Sequence, residues 1–227
     1  MRTVVFDLDG TLADTSADLI AAANAGLAGL GGQAALDPVA DAATAFRGGR
    51  AMLRLGLGRL GPDAVPEAER EATVERLYPV LLDHYRDRID AQTRLYPGAM
   101  AAVEALKAAG FRVTICTNKP TDLAELLLAR LGVREAFGGL VGAGCLPVRK
   151  PDPAPFHEAV ARAGGTAGRA LLVGDTVTDR DTARAAGAPV VLVTFGPEGD
   201  TVADLAPDAL LPAYDDLPGL AARLLGD

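Results

Sequence analysis

Short apolar runs alternate along most of this chain with longer segments of helical periodicity, and that alternation leaves few folds open. The runs are Thr3–Phe6, residues 112–116, Leu140–Ala143, and residues 170–173 and 190–194, each aliphatic or β-branched and each ending where polar residues begin. Residues 99–109, 123–131, 155–163 and 180–186 carry apolar side chains at helical spacing, several with a glycine where a helix would stop. Strand–helix–strand crossovers set successive strands parallel. The expected fold class is therefore α/β, a Rossmann-like, mainly parallel sheet core flanked by helices.

One interval breaks the pattern. Residues 17–93 are rich in alanine, leucine and arginine, read as helical throughout and hold no convincing strand. They are expected to form a small inserted α-helical cap, on a core made of residues 1–16 and 94–227. The connections fall near residues 14–18 and 93–98, where Pro97-Gly98 breaks regular structure, so the two ends of the insert are expected to lie close together. Residues 56–66 read as a loop between cap helices.

A chain of 227 residues can bury a full core and still carry a smaller module. No apolar run approaches the roughly 18 residues needed to cross a bilayer. Met1-Arg2 leads directly into Val4-Val5-Phe6, without the basic region and long apolar stretch of a secretory signal, so a cytoplasmic location is expected. Cys116 and Cys145 make neither a disulfide framework nor a zinc-site spacing, and are read as reduced thiols. A formal net charge of −8 argues against nucleic acid or an anionic membrane as partner. A small phosphorylated metabolite fits, provided a metal ion and one or two basic side chains reverse the field inside a pocket.

The chemistry-bearing residues collect where the apolar runs end. Val4-Val5-Phe6 runs into Asp7-Leu8-Asp9-Gly10-Thr11, and in extended chain Asp7 and Asp9 point to the same side. Residues 170–173 run into Gly174-Asp175-Thr176-Val177-Thr178-Asp179. Thr117-Asn118-Lys119 follows a third run, and Arg149-Lys150-Pro151-Asp152-Pro153 follows a fourth. Taken singly each has a bland reading: an acidic turn at Asp7 and Asp9, a helix cap at Asp179, a strand-end hydroxyl at Thr117, solvated charges at Lys119 and Lys150. Taken together they differ. Ligands gather at the carboxyl ends of parallel strands, and four acids there repel one another without a cation. Oxygen ligands that leave room for water and phosphate favour Mg²⁺. Thr117 and Asn118 can donate to phosphate oxygens, and Lys150 supplies positive charge.

In this order the four segments Asp7-Leu8-Asp9-Gly10-Thr11, Thr117-Asn118, Lys150-Pro151 and Gly174 through Asp179 resemble the motifs of the haloacid dehalogenase superfamily. The helical insertion after the first motif resembles that superfamily's smaller cap class. Phe46-Arg47-Gly48-Gly49, Tyr96-Pro97-Gly98, Pro207-Asp208-Ala209 and Asp215-Asp216-Leu217-Pro218 are similar, more weakly, to stretches of bacterial phosphoglycolate phosphatases.

The resemblance implies a Mg²⁺-dependent phosphatase of small phosphate monoesters, 2-phosphoglycolate first among them. Asp7 is then the nucleophile that is transiently phosphorylated, and Asp9 the acid and base that serves the leaving oxygen and the water. It further implies that Mg²⁺ is held by the Asp7 carboxylate, the Asp9 carbonyl and Asp175, with Asp179 a ligand or a support. Thr117, Asn118 and Lys150 bind the transferring phosphoryl group. Asp9 argues against a dehalogenase; a phosphomutase of the β-phosphoglucomutase type shares the acid pair, and a module that binds a phosphorylated ligand without turnover is the third reading. Arg47, Arg50 and Arg54 are candidates for a substrate carboxylate, Arg47 foremost because it precedes Gly48-Gly49. His84 and His157 are assigned no role.

Overall fold

The computed structural model describes residues 1–31 and 35–226. Residues 32–34, inside the expected cap range, and residue 227, the end of the expected core range, lie outside the described residues.

The chain divides into two compact units, Met1–Asp14 with Leu95–Asp227, and Thr15–Arg94. In the first, β1 (Thr3–Phe6), β4 (Arg112–Pro120), β5 (Leu140–Ala143), β6 (Ala170–Gly174), β7 (Val190–Val193) and β8 (Ala209–Leu211) form one sheet in the order β5-β4-β1-β6-β7-β8. Every neighbouring pair is parallel. Strands β2 (Ala13–Asp14) and β3 (Arg94–Leu95) pair separately. Burial explains the run-like sequences: every residue of β1, β6 and β7 is buried, as strands covered on both faces require.

Helices α7 (Ala154–Arg162) and α8 (Val177–Ala186) make one covering layer, while α5 (Ala99–Ala108) packs with α9 (Leu217–Leu225); α6 (Thr121–Arg130) lies on β4 and β5. Phe156, Ala159 and Val160 of α7 share a core cluster with Val5, Leu172, Leu192 and Ala183. From β1 the chain builds outward to β4 and β5, then crosses back to β6 and builds the other way. The reversal leaves a crevice at the carboxyl ends of β1, β4 and β6, the place where such sheets bind ligands.

The second unit is helical: α1 (Ser16–Leu27), α2 (Ala42–Ala45), α3 (Gly49–Leu60) and α4 (Arg70–Asp87). The Asp18 carboxylate accepts the Gln92 and Thr93 N–H groups and the Thr93 hydroxyl, and so ties the unit's two ends together. The loop expected at residues 56–66 is corrected, because α3 continues to Leu60. Gly56 is not a breaker but a close helix contact: a Cβ there would fall 2.2 Å from Leu27 Cδ1 of α1. Strand β8 escaped the sequence reading, being three residues long and only partly apolar in burial. Among the described residues no helix is long and apolar enough to cross a membrane.

Candidate active site

Strand β1 delivers Asp7 directly into the crevice. Its N–H donates to Val173 O at 2.9 Å, so the residue still follows the ladder. Phe6 pairs with both Ile115 and Val173, which sets the ends of β4 and β6 on either side of it. The chain then turns sharply: Leu8 O accepts the N–H groups of Leu12 and Ala13 at 3.0 and 3.1 Å, and Gly10 takes a φ of 81° that a side chain would oppose. Leu8 is buried, and the two acids flank it as the alternation predicts.

Lys150 stands at the centre of the acids. Its Nζ is 2.6 Å from Asp179 Oδ1 and 3.0 Å from Asp7 Oδ1, with a side chain 2% exposed. The contact to Asp7 is an ion pair only, since Asp7 Oδ1 accepts no hydrogen bond of sound geometry. The Asn118 side-chain amide donates to Lys150 O at 3.0 Å and holds the lysine's backbone. Asp179 does not open α8, as the sequence suggested; it sits in the first turn of a helix that starts at Val177 and forms a capping box with Thr176. Its Oδ2 accepts the Thr176 N–H at 3.1 Å and the Thr176 hydroxyl at 2.8 Å. Gly174 makes room for this, because a Cβ there would lie 2.3 Å from Asp179 Cγ.

Asp175 is held from the far end of the chain. Its Oδ1 accepts the Thr11 hydroxyl at 2.9 Å, and Thr11 O accepts the Tyr214 hydroxyl at 2.7 Å. Its other oxygen, Oδ2, is buried and accepts no hydrogen bond.

The electrostatics follow from this burial. Asp7 is pushed up to about 6, chiefly because it is withdrawn from water; Lys150 opposes the shift, while Asp179 and Asp9 add to it. Asp175 is raised well above the usual carboxylate range by burial, then by Asp179 and Asp7, against the Thr11 hydrogen bond. For Lys150 burial disfavours the ammonium, but Asp179 and Asp7 outweigh it and hold the side chain charged. One carboxylate oxygen each from Asp7, Asp175 and Asp179 lies within 4.8 Å of the others. Three buried acids against one ammonium leave an excess of negative charge, and two of them carry oxygens without hydrogen bonds. That donor set fits a hard divalent cation.

A second lysine completes the strand ends. Thr117 and Lys119 are buried and Asn118 is exposed, so the first two face one side. Lys119 Nζ lies 2.8 Å from Asp9 Oδ1, with a side chain 3% exposed. The reading of Lys119 as a solvated charge is therefore overturned. The signal was present in the sequence: Thr117-x-Lys119 has the same two-residue period as Asp7-x-Asp9, on the neighbouring strand.

A family model of haloacid dehalogenase-like hydrolases matches residues 1–187. The chain belongs to this family. Among curated relatives, the phosphoglycolate phosphatase of Mesorhizobium japonicum is 39% identical over 223 residues, covering 98% of this chain and 96% of its own. That of Caulobacter vibrioides is 37% identical over 226 residues, covering 98% and 92%. Among solved structures, a predicted phosphoglycolate phosphatase from Haemophilus somnus superposes with a TM-score of 0.81 at 28% identity, covering 97% of each chain.

Not every candidate of the sequence reading lies in this hydrolase's acid cluster. Arg47 is exposed in the second unit, on the turn between α2 and α3. Arg50 and Arg54 are committed within that unit: Arg50 grips both oxygens of Glu75 and stacks on Tyr78, and Arg54 grips both oxygens of Glu71. Both are corrected from candidate carboxylate binders on α3 to partners of acids on the neighbouring α4. His84 and His157 are exposed on α4 and α7. Cys116 and Cys145 are free thiols, and burial pushes Cys116 up to about 12. Thr11 and Tyr214 were missed as site supports, because their contacts span 164 and 203 residues and no local pattern announces them.

Proposed function

We propose that this hydrolase is a Mg²⁺-dependent phosphatase of small phosphate monoesters, with 2-phosphoglycolate as its first substrate, working through an aspartyl-phosphate on Asp7. The observation that carries the reading is the cluster itself. Asp7 and Asp175 present buried oxygens without hydrogen bonds, beside a lysine held charged by Asp179. The names and near-complete coverage of the curated relatives support the substrate choice.

Asp7, Asp175 and the Asp9 carbonyl are the groups assigned to the ion. When bound, it offsets the charge of the acids and of the phosphoryl oxygens. Asp179 is assigned to support instead, since one of its oxygens holds Lys150 and the other accepts from Thr176. Lys150, Thr117 and Asn118 orient the phosphoryl group. An Asp7 carboxylate oxygen attacks phosphorus, the phosphorus–ester oxygen bond breaks, and the leaving oxygen takes its proton from Asp9. Asp9 then takes a proton from water, the new hydroxide attacks phosphorus, and the bond to Asp7 breaks to give inorganic phosphate and the original carboxylate. Two displacements of lower barrier replace one that is extremely slow uncatalysed.

Arg47 remains the residue assigned to the ester's carboxylate, on the chemical ground that a guanidinium matches a planar anion. The cytoplasm is the assigned location, in keeping with a metabolite substrate. The test is a phosphate-release screen over small phosphoesters with Mg²⁺ and with EDTA, using wild type and Arg47→Ala. The expected result is Mg²⁺-dependent release, with 2-phosphoglycolate preferred and that preference reduced in Arg47→Ala. Absence of release from every ester overturns the phosphatase, and recovery of an isomeric phosphate ester in place of inorganic phosphate would assign a mutase.

A further inference from the structure

We propose that Lys119 is a positioning residue for Asp9: it fixes the orientation in which the Asp9 carboxyl meets the ester oxygen and, later, water. The inference rests on the phosphatase reading and adds to it a residue outside the acid cluster.

Three observations carry it. The first is placement: Lys119 Nζ lies 2.8 Å from Asp9 Oδ1, while the residue as a whole is only 6% exposed. An ammonium so far from water is retained at a cost that its partner must offset. The second is the strand that delivers it. Between Cys116 and Pro120 strand β4 takes four steps while β5 takes two, from Val141 to Ala143, so the ladder bulges where Thr117, Asn118 and Lys119 sit. Bulges beside active sites re-aim side chains. The third is that the lysine's backbone is clamped. Lys119 N–H donates to Thr117 Oγ1 at 3.2 Å, and a Cβ on Gly142 would fall 2.8 Å from Lys119 O and 2.7 Å from Thr121 Cα. A flexible side chain thus starts from a fixed point, which lets its ammonium hold the carboxylate it reaches. Lys150 has a separate task, since its ammonium meets Asp7 and Asp179.

A lysine that bound substrate phosphate would act on KM, whereas one that orients Asp9 acts on the step in which the proton moves. Lys119→Met is therefore expected to lower kcat on 2-phosphoglycolate by about 30-fold or more, within the range that general acid–base catalysis supplies, with KM kept within about 3-fold. In an Asp9→Asn background the same substitution is expected to cause no further loss. A fall in kcat below about 3-fold, a rise in KM that accounts for the loss, or a double variant slower than Asp9→Asn alone overturns the proposal. Thermal melts check the fold. Should Lys119→Met fail to fold, Lys119→Gln carries the same expectations. Wild type that releases no phosphate from any small ester sinks the phosphatase reading instead, so the two failures are distinguishable.

Discussion

The molecule carries two sets of ion pairs that look alike in sequence and differ in setting. In the helical unit Arg50–Glu75 and Arg54–Glu71 are bidentate and well formed, with side chains 38–66% exposed. At the ends of the strands Lys150 and Lys119 meet Asp7, Asp179 and Asp9 with side chains only 0–17% exposed. Water and salt screen the first set, which makes it a weak contributor to stability. The second set is strongly coupled because water is gone, and it keeps an excess of acids that a purely structural network would not. Charge that is buried and left incompletely compensated marks the working region.

The largest expected break in this contrast is Asp7→Asn. Steady-state phosphate release should fall by more than about 10³-fold, since a nucleophile has no substitute in the site. Normal turnover in that variant, with contamination excluded by active-site titration, rules out the covalent mechanism. Next comes Lys150→Met, expected to lower kcat/KM by roughly 10²-fold, as the loss of one preorganised charge does. It should also lower the melting temperature more in EDTA than in Mg²⁺, because the acids then face one another without either cation.

A pH series sharpens the comparison further. Asp7 sits at about 6 in the folded protein against an ordinary 3.8, so between those values the folded state binds more protons than the unfolded one. Stability of the metal-free protein should therefore fall as pH rises from about 4 through about 6, with Asp7 alone contributing on the order of 1 kcal/mol per pH unit. Asp175, shifted the same way, adds to the slope. Lys150 contributes nothing in that window, since it stays charged throughout. Denaturant unfolding at fixed pH checks this, and Mg²⁺ should flatten the curve; a metal-free protein that grows more stable across the window contradicts the assignment. The smallest effect belongs to the exposed set. Arg54→Ala should shift the melting temperature by less than about 2 °C, with less effect still in high salt, and should leave phosphate release unchanged.

Much of the fold was legible because parallel strands covered on both faces must be written as continuous apolar runs, and Thr3–Phe6 and Ala170–Gly174 are such runs. Strand β8 was not, since three half-covered residues leave no pattern. Gly56 misled for a different reason: glycine reads as a breaker when only the chain is in view, and as a packing device once Leu27 is known to lie against it. Asp7, Asp9, Thr117 and Asp175 could be singled out because each stands where an apolar run ends, and Lys150 and Asp179 because each follows such a run near the start of a helix. Lys119 had only its two-residue spacing from Thr117 to set it apart from a surface lysine, and Arg50 and Arg54 could not be told from free guanidiniums. In each case the deciding contact lies 17 or more residues away along the chain.

The amino-acid order by itself determined which residues end the strands and therefore which acids and bases are available at the sheet's carboxyl edge, because strand periodicity and burial are local properties. Only the tertiary structure decided how those charges divide. It set Lys150 between Asp7 and Asp179, gave Lys119 to Asp9, held Asp175 through Thr11 and Tyr214, and left Asp7 and Asp175 with oxygens that accept no hydrogen bond. Pairing of that kind depends on strand register and on the exclusion of water, and neither exists until distant segments have packed.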